Sequence, residues 1–168
     1  MAISIENALS RYQRMECPSI TSAGMLFSRF GIEMTLSEKI LAKQIVRVSQ
    51  VWTDSSGDLQ IDGLCILIDG ELVTDADEAT NSIMLKGGIE NISRVELFFI
   101  QSKNKKSFSV SEFNHFSSGV QNFVTNKSVP AGVNAKVENW YKVWKVIQNS
   151  ISHTNAQVNV IAIQREQA

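Results

Sequence analysis

Apolar and polar positions alternate along this chain in two distinct periods. A period near 3.6 marks a short helix over 4–16 and a second from about residue 19 to Met34, with Ser19, Thr21 or Ser22 as its cap. Thr35-Leu-Ser-Glu38 reads as a capping box and predicts a helix to about Trp52, with Leu36, Ile40, Leu41, Ile45 and Val48 on one face. The pattern then changes. LQIDGLCILI (59–68) is nearly continuously apolar, and Asp69-Gly70 separates it from ELV, which predicts a hairpin. Residues 75–86 predict a short helix capped by Thr74 or Asp75 and stopped at Gly87-Gly88. A strand follows over 94–103.

Ser109-Val-Ser-Glu112 is a second capping box, ahead of an apolar stripe at Phe113, Phe116, Val120 and Phe123. Residues 136–151 place Val137, Trp140, Tyr141, Trp144, Ile147 and Ile151 on one helical face, with Glu138 and Lys142 paired on the wet side. A last strand spans about 157–163. Helices, a hairpin, a third strand, helices and a fourth strand predict an α/β fold with helices on both faces of the sheet. Runs 61–68 and 95–100 are apolar at successive positions, as central strands of a covered sheet are.

Bulk properties narrow the class. The 168 residues suit one domain with a short appended arm, able to bury on the order of 70% of the unfolded surface. Apolar content of 43% and charged content of 20% are those of a water-soluble globular chain. No run reaches the ~20 apolar residues of a membrane helix, and MAISIENALSRYQRMEC lacks the apolar core of a signal peptide. A cytoplasmic protein without membrane contact is expected. Cys17 and Cys65 have no metal-type spacing and are expected to be buried free thiols. A net charge of −1 argues against a surface coated in positive charge for nucleic acid, but not against a local basic patch. The chain closes on VNVIAIQREQA, just after a strand, so a longer protein with a further C-terminal domain is one expectation.

The chemistry concentrates where two strands change character. Asp62 interrupts an apolar run, and an isolated buried carboxylate costs several kcal/mol unless a metal, a lysine or backbone N–H groups compensate it. Aspartates also commonly mark strand starts, which is the plainer explanation. ELFFIQSKNKK (96–106) turns polar at Gln101, and the strand period puts Gln101 and Lys103 on one face and Ser102 on the other. A solvated strand tail is again the plainer explanation. If the two strands are neighbours, Asp62, Gln101 and the Ser102 carbonyl offer hard oxygen donors to a divalent ion. Lys103 would then orient a water or neutralise developing phosphate charge.

GDLQIDG (57–63) followed by FFIQSK (98–103) resembles the Asp…(Glu/Gln)-x-Lys pattern of the PD-(D/E)XK nucleases. The Gln-x-Lys form is similar to their Mrr-like branch. The order IDGLCILIDGELVTD…VELFFIQSK resembles the N-terminal domain of AIPR-type abortive phage-infection proteins, over about residues 20–125. The resemblance implies a restriction-endonuclease-like core in residues 19–168, with a mixed sheet of about four strands, behind an N-terminal helical arm over 1–18. It implies a Mg²⁺- or Mn²⁺-dependent nuclease acting on DNA in anti-phage defence, with a homodimer or a partner subunit as an expected assembly. By resemblance Asp62 is the metal-binding acid, Gln101 takes the second acidic position and Lys103 is the catalytic lysine. A helix glutamate often completes such sites: Glu33 is the first candidate and Glu38, which already serves a capping box, the second. Asp58 is a further candidate ligand, though a loop aspartate is ordinarily turn chemistry.

Lys105 and Lys106 follow the site and are candidate phosphate contacts. Lys86 and Arg94 fit a solvated face better. His115 and His153 have no partner at metal spacing and read as surface residues, and no phosphate-binding loop or nucleophile elbow is present. The alternative to a nuclease is a non-catalytic nucleic-acid- or protein-binding module on the same fold. Gln101 in place of an acid, the slightly negative net charge and the lack of a firm third carboxylate favour it. A weaker alternative takes Gln-x-Lys as a plain strand terminus.

Overall fold

The core forms around two strands that carry continuous apolar runs, residues 64–68 and 97–100. In the computed structural model, which describes residues 4–37, 48–53, 57, 59–126, 128–149 and 156–165, these are β1 (Gly63–Ile68) and β3 (Val95–Lys103). They pair antiparallel, with Gly63 opposite Ile100 and Ile68 opposite Val95. β2 (Glu71–Val73) completes a hairpin with β1 through Asp69-Gly70, both at positive φ as that tight turn requires. β4 (Ala156–Gln164) runs parallel to β3, giving a mixed sheet in the order β2-β1-β3-β4. The expected α/β class with a four-stranded mixed sheet is the one observed.

Among the described residues six α-helices surround it: α1 (Ile5–Glu16), α2 (Ala23–Ser37), the single turn α3 (Val48–Val51), α4 (Ala76–Leu85), α5 (Val110–Thr125) and α6 (Ala135–Gln148). Strand alternation shows which face each covers. α2 lies over the face of Gly63, Ile100 and Ser102: a Cβ at Gly63 would come within 3.0 Å of Ile32, and one at Gly31 within 3.7 Å of Ser102 Oγ. Phe99 points the other way and meets Phe123 of α5 edge to face, and Phe123 in turn meets Tyr141 of α6. Helices therefore flank both faces, and residues 64–68 and 97–101 are buried throughout. α1 packs on α2 through Tyr12 and Phe30. Among the described residues no helix is long and apolar enough to cross a membrane.

Several boundaries differ from expectation for identifiable reasons. α2 continues through Thr35 to Ser37, so Thr35 is a helix-interior residue and caps nothing. Glu38 and most of the helix expected after it lie outside the described residues, as do Asp58, Ile151 and His153. The first strand starts at Gly63 rather than residue 59, because Leu59 and Gln60 both adopt left-handed backbone angles. The apolar stripe of α5 is Phe116, Gly119, Val120 and Phe123, while Phe113 is half exposed. Both cysteines are buried free thiols, and Glu138 pairs with Lys142 at 3.1 Å.

Candidate functional site

Asp62 sits one residue before β1, at the point where β1 stops covering β3. Its N–H donates to the Ile100 carbonyl at 2.9 Å, which fixes it beside Gln101. Beyond that point no described strand pairs with β3 on this side. The Asp62 carboxylate takes the role instead: Oδ2 accepts the Ser102 N–H at 2.7 Å, in a buried setting. Asp62 is only 7% exposed. The N–H and C=O of one residue point to the same side of a strand, so the Ser102 carbonyl is also directed toward the Asp62 side. Thr53 braces the segment, with its N–H on the Asp62 carbonyl at 2.7 Å and its hydroxyl on the Ile61 carbonyl at 2.5 Å.

Gln101 is no solvated tail. It is 0% exposed, and among the described residues neither its Oε1 nor its Nε2 has a hydrogen-bond partner. A buried polar group left unpaired costs about 1–3 kcal/mol. Natural cores rarely keep one without a use for it. Ser102 Oγ is likewise buried and unpartnered, on the α2 side of the sheet. Gln101 shares its face with Phe99 and Lys103, as strand period demands.

Lys103 ends β3, half-buried, with Nζ 4.0 Å from Glu112 Oε1. Glu112 also binds Lys105 through both carboxylate oxygens, at 2.7 and 2.8 Å. The same carboxylate closes the expected capping box by accepting the Ser109 N–H. The hydrogen bonds from Lys105 and then Ser109 hold the Glu112 carboxyl down at about 2. One glutamate thus gathers two ammonium groups at the end of β3. Glu112 lies four residues before Phe116, on the same face of α5, so the apolar stripe carries it toward the sheet. The capping box had already accounted for it in the sequence, and that explanation concealed its second role.

Other candidates are placed elsewhere. Glu33 faces α1, where its carboxylate accepts the Tyr12 hydroxyl, and no described contact joins it to Asp62 or Gln101. Burial first, and this carboxylate second, push the Tyr12 hydroxyl well above its ordinary value. Lys106 is exposed beside Lys105. Lys86 pairs with Asp69 at 3.0 Å and Arg94 with Glu96 at 3.1 Å, where a solvated face was expected for both cations. His115 is exposed.

Gly119 was not singled out in the sequence, yet it positions the site. A Cβ there would lie 2.1 Å from the Leu59 carbonyl oxygen. Only glycine lets α5 press on the left-handed turn that delivers Asp62. Among the described residues no three His, Cys, Asp or Glu side chains gather closely enough to hold a metal. Among the described residues, the hard-cation donors at the site are one carboxylate, one neutral amide oxygen and a backbone carbonyl. Comparison with protein-family models, curated proteins and solved structures finds no match to this chain.

Proposed function

We propose that this chain is a divalent-metal-dependent nuclease that hydrolyses DNA phosphodiester bonds. The observation that carries the reading is the buried, unpartnered amide of Gln101 beside the Asp62 carboxylate, with Lys103 two residues along the same strand. An oxygen-only donor set suits Mg²⁺ or Mn²⁺, with a single formal charge favouring weak binding. Asp62, Gln101 and the Ser102 carbonyl would hold the ion. When bound, it would supply Lewis-acid charge at the scissile phosphate. Lys103 orients the attacking water and offsets charge on the phosphate, and Lys105 and Lys106 steer the backbone toward it. The resemblance to AIPR-type proteins directs the reading toward anti-phage defence in the cytoplasm.

A second reading has its own support. The Asp62 carboxylate already satisfies the Ser102 N–H, and Glu112 already engages both lysines, so structural roles account for much of the charge. A non-catalytic nucleic-acid- or protein-binding module on this fold needs nothing more. Plasmid and linear DNA cleavage with Mg²⁺ or Mn²⁺ separates the two, using wild type, Asp62→Asn and Lys103→Ala. The nuclease reading expects cleavage that is lost in both variants and abolished by EDTA. Equal background in all three would leave the binding module standing.

A further inference from the structure

The two edges of the sheet are built differently. The β2 edge is three residues long and opens with the exposed charge of Glu71. Short, charged edges are how monomeric proteins discourage strand addition. The β4 edge runs nine residues, from Ala156 to Gln164, without a charge or a proline. It pairs residue for residue with β3, from Val95–Ala156 to Lys103–Gln164, so no bulge twists it away. Among the described residues nothing pairs with its outer side. Register places Val158, Val160 and Ala162 on the face of Leu97, Phe99 and Gln101. Yet Val158 and Val160 are 43% and 48% exposed.

We infer that β4 pairs antiparallel with β4 of a second copy of this chain, joining two four-stranded sheets into one. The residue pattern argues for a second copy over an unrelated strand. A two-fold axis at Val160, the midpoint of β4, sets Val160 against itself and Val158 against the partner's Ala162. All three exposed apolar side chains then meet apolar partners on one face. The absence of charge between Ala156 and Gln164 means that identical strands meet without like-charge repulsion. The outward N–H and C=O groups of both strands gain ladder hydrogen bonds. This interface is independent of the nuclease reading.

Sedimentation velocity across a concentration series, with light scattering, tests it on the whole chain. Wild type is expected at twice the chain mass. Val160→Lys puts two ammonium groups on the axis and should weaken association on the order of 100-fold or more, with circular dichroism unchanged. Register is read by crosslinking. Val160→Cys should join two copies through a short bifunctional thiol reagent. Val158→Cys should not, because its two copies lie four residues apart along the strands, about 13 Å. Cys17 and Cys65 are buried and stay silent. A monomer at every concentration would overturn the inference and leave the edge to a different strand. So would a dimer indifferent to Val160→Lys, or one that crosslinks through position 158 rather than 160.

Discussion

Replacing Asp62 by alanine removes the acceptor of the Ser102 N–H and leaves a buried donor without it. The hydrogen bond is 2.7 Å long and ends on a carboxylate, so it belongs to the stronger, charge-assisted class. Bonds to charged groups contribute about 1.5–3 kcal/mol, and an orphaned buried donor costs a similar amount. Asp62→Ala should therefore lose about 2–3 kcal/mol, lowering Tm by about 4–12 °C for a domain of this size. Asp62→Asn keeps an acceptor oxygen in place and should stay within about 1 kcal/mol of wild type. Urea unfolding followed by tryptophan fluorescence measures both, since Trp52, Trp140 and Trp144 are buried reporters. Equal losses in the two variants would refute the hydrogen-bond argument, and so would an alanine variant within about 0.5 kcal/mol of wild type. For the nuclease assay the asparagine variant is the cleaner one: it removes the charge and keeps the strand end.

Three further outcomes are expected. Gln101→Met deletes two buried polar atoms that have no partner, so it should raise stability by about 1–3 kcal/mol in denaturant unfolding while abolishing any metal-dependent cleavage. The Glu112 carboxyl lies at about 2 when folded, below its ordinary 4.5, so its stabilisation is complete above 4.5 and disappears as pH falls through about 2. Glu112→Gln should flatten that part of the pH–stability profile, measured by denaturant titration between those limits, and an unchanged slope would show that Lys105 and Ser109 do not hold the carboxylate. Burial pushes the Cys65 thiol far up and raises Cys17, so neither should react with a thiol-specific chromophore until the chain unfolds. Fast labelling of Cys65 in the native state would contradict the core described here.

Local pattern revealed the strands because β1 and β3 carry unbroken apolar runs, 64–68 and 97–100, and a run of that kind between turn residues has few other uses. The cap at Asp75, the capping box at Ser109 and the hairpin turn at Asp69-Gly70 were legible for the same reason: each is a contact between residues at most four apart. What escaped the sequence is long-range. Leu59 and Ile61 look like strand residues, and the turn that displaces them depends on Gly119 of α5 and on Thr53. Phe113 fits a helical stripe as well as Gly119 does, and only the packed sheet shows which face is chosen. Glu33 lies in the helix expected to face the site, but the tyrosine of α1 draws its carboxylate away. The convergence of Asp62 with Gln101 was foreseeable only on the condition that their strands were neighbours, and in the fold they are.

The two halves of the candidate site should move on different timescales. Asp62 and Gln101 are attached to β1 and β3, whose amides are sealed inside the sheet and should exchange with solvent only when the whole domain unfolds. Lys103 and Lys105 are held by Glu112 in the first turn of α5, where Val110 and Phe113 stand in water and the helix end can fray without disturbing the core. The oxygen donors should thus stay in place for as long as the protein is folded, while the cationic side should open and reclose many times over. An arriving polyanion would meet a rigid carboxylate and amide, and a pair of lysines already exchanging partners.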